Sequence, residues 1–225
     1  MKRNIFSNSI TLFFSAIGLS LMTSACTQAP PKTESITSAT PTAMMMDHGS
    51  MNHRQMDLGP ADGDYELRFI DSMIPHHEGA IVMAKDALDK SKRPEIKMLA
   101  NAIIKAQPSE IKQMQDWRSL WYPKAPTTPM MWHGAMNHST PMTAEQTSSM
   151  RMSMDLGASD SGYDDRFLAA MIPHHEGAVV MAKDLALKSK RPEMQKLAKE
   201  IIASQQSEID QMNQWRKLWA TPQSK

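Results

Sequence analysis

Apolar residues recur along two stretches of the chain at the three- and four-residue spacing of a buried helix face. Ile96, Leu99, Ile103, Ile111, Met114, Trp117 and Trp121 follow one another at intervals of three, four or their sums. The polar run Ser91-Lys92-Arg93-Pro94-Glu95 interrupts the pattern and puts a proline where the first turn of a new helix accepts one. The spacing predicts a helix over about 65–90 and a second over about 95–121. Both patterns return over 163–188 and 193–219. Pro75 and Pro173 fall inside the first helix of each pair, where the lost amide and the ring clash predict a kink.

The return is a duplication. Residues 56–121 align without a gap on 154–219, with about 41 of 66 positions identical. Met73-Ile74-Pro75-His76-His77-Glu78-Gly79-Ala80 reappears unchanged as 171–178. Two hairpins with one apolar face each are expected to bury those faces against each other. The predicted fold is all-α, a ferritin-like four-helix bundle built from two duplicated helical hairpins with pseudo-twofold symmetry. A shorter repeat lies outside the long one: His48-Gly49-Ser50-Met51-Asn52-His53 matches His133-Gly134-Ala135-Met136-Asn137-His138. The Gly, Ser, Thr, Pro and Asn around both copies predict flexible Met/His-rich loops over 27–55 and 122–153. The bundle then spans 56–219, with a short tail at 220–225.

Composition narrows the chemistry. Of 225 residues 22 are methionine, eight are histidine and one is cysteine, with a formal net charge of +1. A single cysteine excludes an intrachain disulfide framework and a cysteine-cluster zinc site. Near-neutral charge without a basic tract offers nothing to nucleic acid. The N-terminus has the form of an export signal over 1–26: Lys2 and Arg3, an apolar run from about 10 to 22, then small residues ahead of Cys26. Removing it leaves 23 basic and 24 acidic residues, so the mature chain is near −1. Small residues before a lone cysteine resemble a lipoprotein processing site, with Cys26 lipidated, although Thr23 stands where leucine is usual. Ordinary signal cleavage is the alternative. The expected location is outside the cytoplasm, periplasmic or exported, with a lipid anchor as the one link to a membrane.

All eight histidines fall in the repeats. On the first helix Met73, His76, His77 and Met83 share one broad face, as do Met171, His174, His175 and Met181 in the second copy. Imidazole and thioether together form a donor set for a soft metal ion. On the second helix of each pair, Gln107 and Glu110, and Gln205 and Glu208, interrupt the apolar stripe. A buried carboxylate demands a partner, and a histidine one helix away would supply it, so that the glutamate fixes the tautomer of a metal-bound ring. Met114 and Met212 are further candidate ligands, with core packing an equal reading. A metal-free His/Glu/Gln hydrogen-bond network is the plain alternative for the whole cluster.

The loops carry the rest of the excess. Twelve methionines lie in 44–56 and 130–154, where no helical stripe calls for them. Met44, Met45, Met46, His48, Met51 and His53 in one segment, and Met130, Met131, His133, Met136 and His138 in the other, are candidate ligands for Cu(I). An oxidising compartment consumes free thiolates, and methionine with histidine replaces them. Thioether has no proton to lose, so methionine sites are expected to hold copper in acid, where histidine protonates below about pH 6.5.

The sequence resembles the domain-of-unknown-function family 305. The resemblance rests on Arg68-Phe69, the Met-Ile-Pro-His-His-Glu-Gly-Ala string, Met83-Ala84-Lys85, and the series Ile103, Ile104, Gln107, Glu110, Ile111, Met114 and Trp117, and it covers about 56–219. It implies a ferritin-like bundle and likeness to CopM-like periplasmic copper-binding proteins. Carried over, it makes His76, His77, His174 and His175, with nearby methionines, metal ligands in copper resistance or buffering. The expectation is a non-enzymatic protein that sequesters or transfers Cu(I), and Ag(I) by the same chemistry, exchanging it with copper efflux or sensor proteins. The alternative is a di-metal oxidase of iron or copper in a helical bundle. It lacks support in the motif, because neither Glu78 nor Glu176 has a histidine three residues later.

Overall fold

Each repeat forms the helical hairpin that its periodicity predicts. The computed structural model describes residues 56–220. In the first repeat α1 (Tyr65–Lys90) turns into α2 (Pro94–Trp121); in the second α4 (Tyr163–Lys188) turns into α5 (Pro192–Ala220). Between the hairpins lie β1 (Met130–His133), β2 (His138–Pro141) and α3 (Ala144–Arg151). Pro94 occupies the first turn of α2, where no helical partner is lost. Pro75 and Pro173 sit inside α1 and α4 without ending either helix, and α2 holds a further proline, Pro108. The signal region, Cys26 and the segment carrying Met44, Met45, Met46, His48, Met51 and His53 lie outside the described residues, as does the end of the tail.

The central pair is α1 and α4, and symmetric hydrogen bonds show that they run antiparallel. Tyr65 at the start of α1 donates its hydroxyl to Asp184 near the end of α4 at 2.7 Å, and Tyr163 donates to Asp86 at 2.8 Å. Bonds to an ionised acceptor stabilise by about 1.5–3 kcal/mol each, and burial with the neighbouring carboxylate pushes both phenols well above their ordinary range. Arg93 lies 3.9 Å over the Trp219 ring and Arg191 lies 4.4 Å over Trp121, so each interhelix turn clasps the far end of the other hairpin.

Two apolar cores result. One holds Met83, Met171 and Met212 with Phe167, Ile96 and Ile103; the other holds Met73, Met114 and Met181 with Phe69, Ile70 and Ile201. Each therefore combines methionines of both repeats.

The segment between the hairpins departs from its loop-like composition. β1 and β2 pair antiparallel, with Met130 opposite Pro141, Met131 opposite Thr140, Trp132 opposite Ser139 and His133 opposite His138. The four-residue turn closes with Asn137 at φ 54°, a conformation that asparagine tolerates. Asp71 of α1 accepts from the Met130 amide at 2.7 Å and pairs with Arg118 of α2, while the buried Arg68 donates to Ser139 at 2.8 Å and lies under the Trp132 ring. These anchors fix the ribbon on the first repeat. Helix α3 opens on a capping box between Thr143 and Gln146. Met142 and Met150, at 5% exposure each, enter the core.

Candidate metal centre

The His-His strings on α1 and α4 are brought together midway along the antiparallel pair. His76, His77 and His175 are 0% exposed and His174 is 1% exposed. The His76 and His174 rings approach to 3.8 Å between centroids, and His174 lies 6.1 Å from His175.

The four imidazoles divide by their partners. His77 Nε2 donates to Glu110 Oε2 at 2.7 Å, and His175 Nε2 donates to Glu208 Oε2 at the same distance. With Nε2 protonated, the Nδ1 atom of each ring carries a lone pair, and neither Nδ1 has a hydrogen-bond partner. His174 Nε2 donates to the carbonyl of Arg151 at 3.1 Å, leaving its Nδ1 unpartnered. His76 has no partner at either ring nitrogen. Each such buried polar atom costs about 1–3 kcal/mol when left unpaired. Gln107 and Gln205 add two buried, unpartnered side-chain oxygens from α2 and α5.

Electrostatics keep His76 and His174 neutral. Burial, reinforced by His175 and His77, pushes the His174 imidazole down to about 3. Burial, with His174, His77 and His175 alongside, holds His76 well below the usual histidine range. Neutral imidazole is the form that ligates a metal.

Two glycines let the chain close over these rings. A Cβ on Gly79 would overlap the Arg151 carbonyl, and one on Gly177 would overlap the methyl of Met56. That same Cβ position is 3.2 Å from Met56 Sδ and 3.2 Å from His76 Nε2. Met56 is therefore beside the unpartnered ring. Its own position in the sequence, outside both helices, gave no sign of this. Its count among the twelve methionines outside a helical stripe and its match with Met154 were the only marks on it.

The candidate helical methionines are all buried in the two apolar cores. Met73 and Met83, which share a face of α1 by spacing, divide between the two apolar cores, as do Met171 and Met181 on α4. The physical reason is the bundle: a broad face on a central helix meets different neighbours along its length. Met114 and Met212 are 0% exposed and packed in the same cores.

On the ribbon, His133 and His138 stand directly opposite each other, so their side chains share one side of the sheet. His138 Nδ1 pairs with the Met136 carbonyl at 3.0 Å, and the Met136 amide donates to His133 Nδ1 at 3.3 Å. Both Nε2 atoms point away from these bonds. Met136 at the turn is 58% exposed, while Met130 and Met131 are half-buried against α1. Among the described residues no group of three or more His, Cys, Asp or Glu side chains is arranged to hold a metal. An ion at the bundle centre would take thioether sulfur beside imidazole nitrogen.

Paired helical hairpins around buried imidazoles, with thioethers beside them, define a helical-bundle protein with a soft-donor core. The chain belongs to the family described as Domain of unknown function (DUF305), which matches residues 66–216. Among solved structures it is similar to CopM in the Cu(II)-bound form, with 41% identity, 68% of this chain and 97% of that chain covered, and a TM-score of 0.56. CopM in the Cu(I)-bound form and in an Ag-bound form are each 38% identical over 69% of this chain and 98% of that one, with TM-scores of 0.54 and 0.55. A DUF305 fragment from Deinococcus radiodurans is 27% identical, with 66% of this chain and 92% of that chain covered and a TM-score of 0.52. An uncharacterized protein of Acanthamoeba polyphaga mimivirus is 46% identical over 50 residues, which is 22% of this chain and a third of that relative's length.

Proposed function

We propose that this protein binds copper outside the cytoplasm and sequesters, buffers or transfers it as Cu(I), with Ag(I) taken up by the same donors. The observation that carries the reading is His76: fully buried, neutral, without a partner at either nitrogen, and beside a thioether. A ring so placed is costly in an empty core and well suited to a soft cation. The Glu110 and Glu208 contacts support the same reading, because a carboxylate on the second nitrogen is the usual brace for a metal-bound imidazole. Similarity to CopM in its copper- and silver-bound forms supports the choice of metal. Soft sulfur favours Cu(I) over Cu(II). The half-buried His133 and the exposed His138, with Met136, form a second donor group through which the ion would be exchanged with efflux or sensor proteins. The leader supports export, and Cys26 a lipid anchor.

Thermal unfolding tests the proposal. A ligand that binds only the folded form at a hundredfold excess over its Kd stabilises by about 2.7 kcal/mol, which is roughly 5–10 °C for a domain of this size. Cu(I) and Ag(I) are expected to raise Tm by that order, and Zn(II) much less. No shift with either monovalent ion would remove the function proposed.

A further inference from the structure

The two repeats match closely around their histidine strings, yet they differ at the bundle centre. Gly79 and Gly177 hold equivalent places on α1 and α4, and Met56 and Met154 are equivalent residues ahead of them. Met56 is half-buried over Gly177, and its sulfur and His76 Nε2 each lie 3.2 Å from the point that a Gly177 Cβ would occupy. Over Gly79 that place is taken by the Arg151 carbonyl at the end of α3, which accepts from His174 Nε2. Met154 is displaced and 46% exposed. One ring nitrogen thus faces a thioether with no hydrogen bond, and its counterpart faces a carbonyl and is satisfied.

We propose that Met56 is the thioether ligand of the bundle centre, paired with His76 Nε2 over Gly177, and that the centre therefore holds one soft monovalent cation rather than two. The inference rests on the copper-binding reading of the same core. A neutral sulfur and a neutral nitrogen form a donor pair for Cu(I) or Ag(I) that excludes harder ions. Glycine at 177 leaves room for the Met56 methyl, which a side chain there would displace. Met56 is half-buried whereas His76 is 0% exposed, so the sulfur is the first donor that an entering ion meets. At the other copy the Arg151 carbonyl competes for His174 Nε2, and α3 would have to withdraw before a second ion could be held.

Ring-nitrogen NMR of the full mature chain during Ag(I) titration resolves the individual histidines. In the wild type the His76 signals are expected to move at low Ag(I) and those of His174 to lag well behind. Met56→Leu keeps the volume and removes the donor, and the His76 midpoint is expected to rise at least tenfold; Met154→Leu is expected to leave it unchanged. Gly177→Ala, which displaces the sulfur without altering a ligand, is expected to act like Met56→Leu, and the leucine variant decides the matter if the alanine variant does not fold. If His76 moves equally well in Met56→Leu, or His76 and His174 move together, the inference fails while the copper reading stands. If neither ring moves in the wild type, both fall.

Discussion

His76 and His174 resist protonation to a much lower pH than an exposed histidine site does. An ordinary imidazole releases copper as it protonates below about pH 6.5. The expectation that histidine sites fail in mild acid while methionine sites persist does not carry over to these rings, because burial pushes His174 down to about 3 and His76 in the same direction. In the unfolded chain each ring takes a proton below about pH 6.5 that the folded core refuses. The metal-free protein is therefore expected to hold full stability above that pH. It should lose about 1.4 kcal/mol per pH unit for His174 as pH falls from 6.5 toward 3, with His76 adding a loss in the same direction. Urea midpoints measured across this window check it; a flat profile would mean that the rings are solvated. The glutamates act on the next rings. Glu110→Gln keeps the size of the group but weakens its hold on His77 Nε2, and is expected to lower Cu(I) affinity about 10–100-fold, as read by chelator competition.

The helices were legible because their signals agree: period, the Lys-Arg-Pro-Glu turn and the duplication all mark the same boundaries. The linker was not, because Gly, Ser, Thr, Pro and Asn also describe a short ribbon and a capped helix. Two cues were present in Thr143 with Gln146 three residues on, and in Asn137 at the tight turn, but neither outweighs composition over so few residues. Met142 and Met150 consequently read as loop methionines, although both are core. Met150→Ala is expected to cost about 2–5 kcal/mol, whereas Met136→Ala at the exposed turn should stay within about 0.5 kcal/mol; denaturant midpoints separate them. The close seat of α3 on α1 has its own test. Gly79→Ala drives a methyl into the Arg151 backbone, while the same change at Gly63 meets open space. The first is expected to lower Tm by several degrees and the second to leave it near the wild-type value.

At the scale of the molecule, duplication explains both the symmetry and where it ends. The antiparallel central pair brings two identical His-His strings to one level, so the four-histidine centre follows from the repeat and was largely legible in it. The asymmetry was not, because it depends on single differences between the copies. Asp71 anchors the ribbon to the first repeat, and Ala169 stands at the matching place in the second. The ribbon and α3 therefore seat on α1, with Arg151 reaching His174 of the second repeat, and the two ends of the centre become different. Nor could spacing alone reveal that the helical methionines would be shared between two cores. The central claim is that the buried imidazoles hold Cu(I), and competition with a Cu(I)-specific chelator at neutral pH tests it most directly. The full chain is predicted to withhold at least one more equivalent than a folded His76→Ala/His174→Ala variant; equal retention by the two proteins would contradict it.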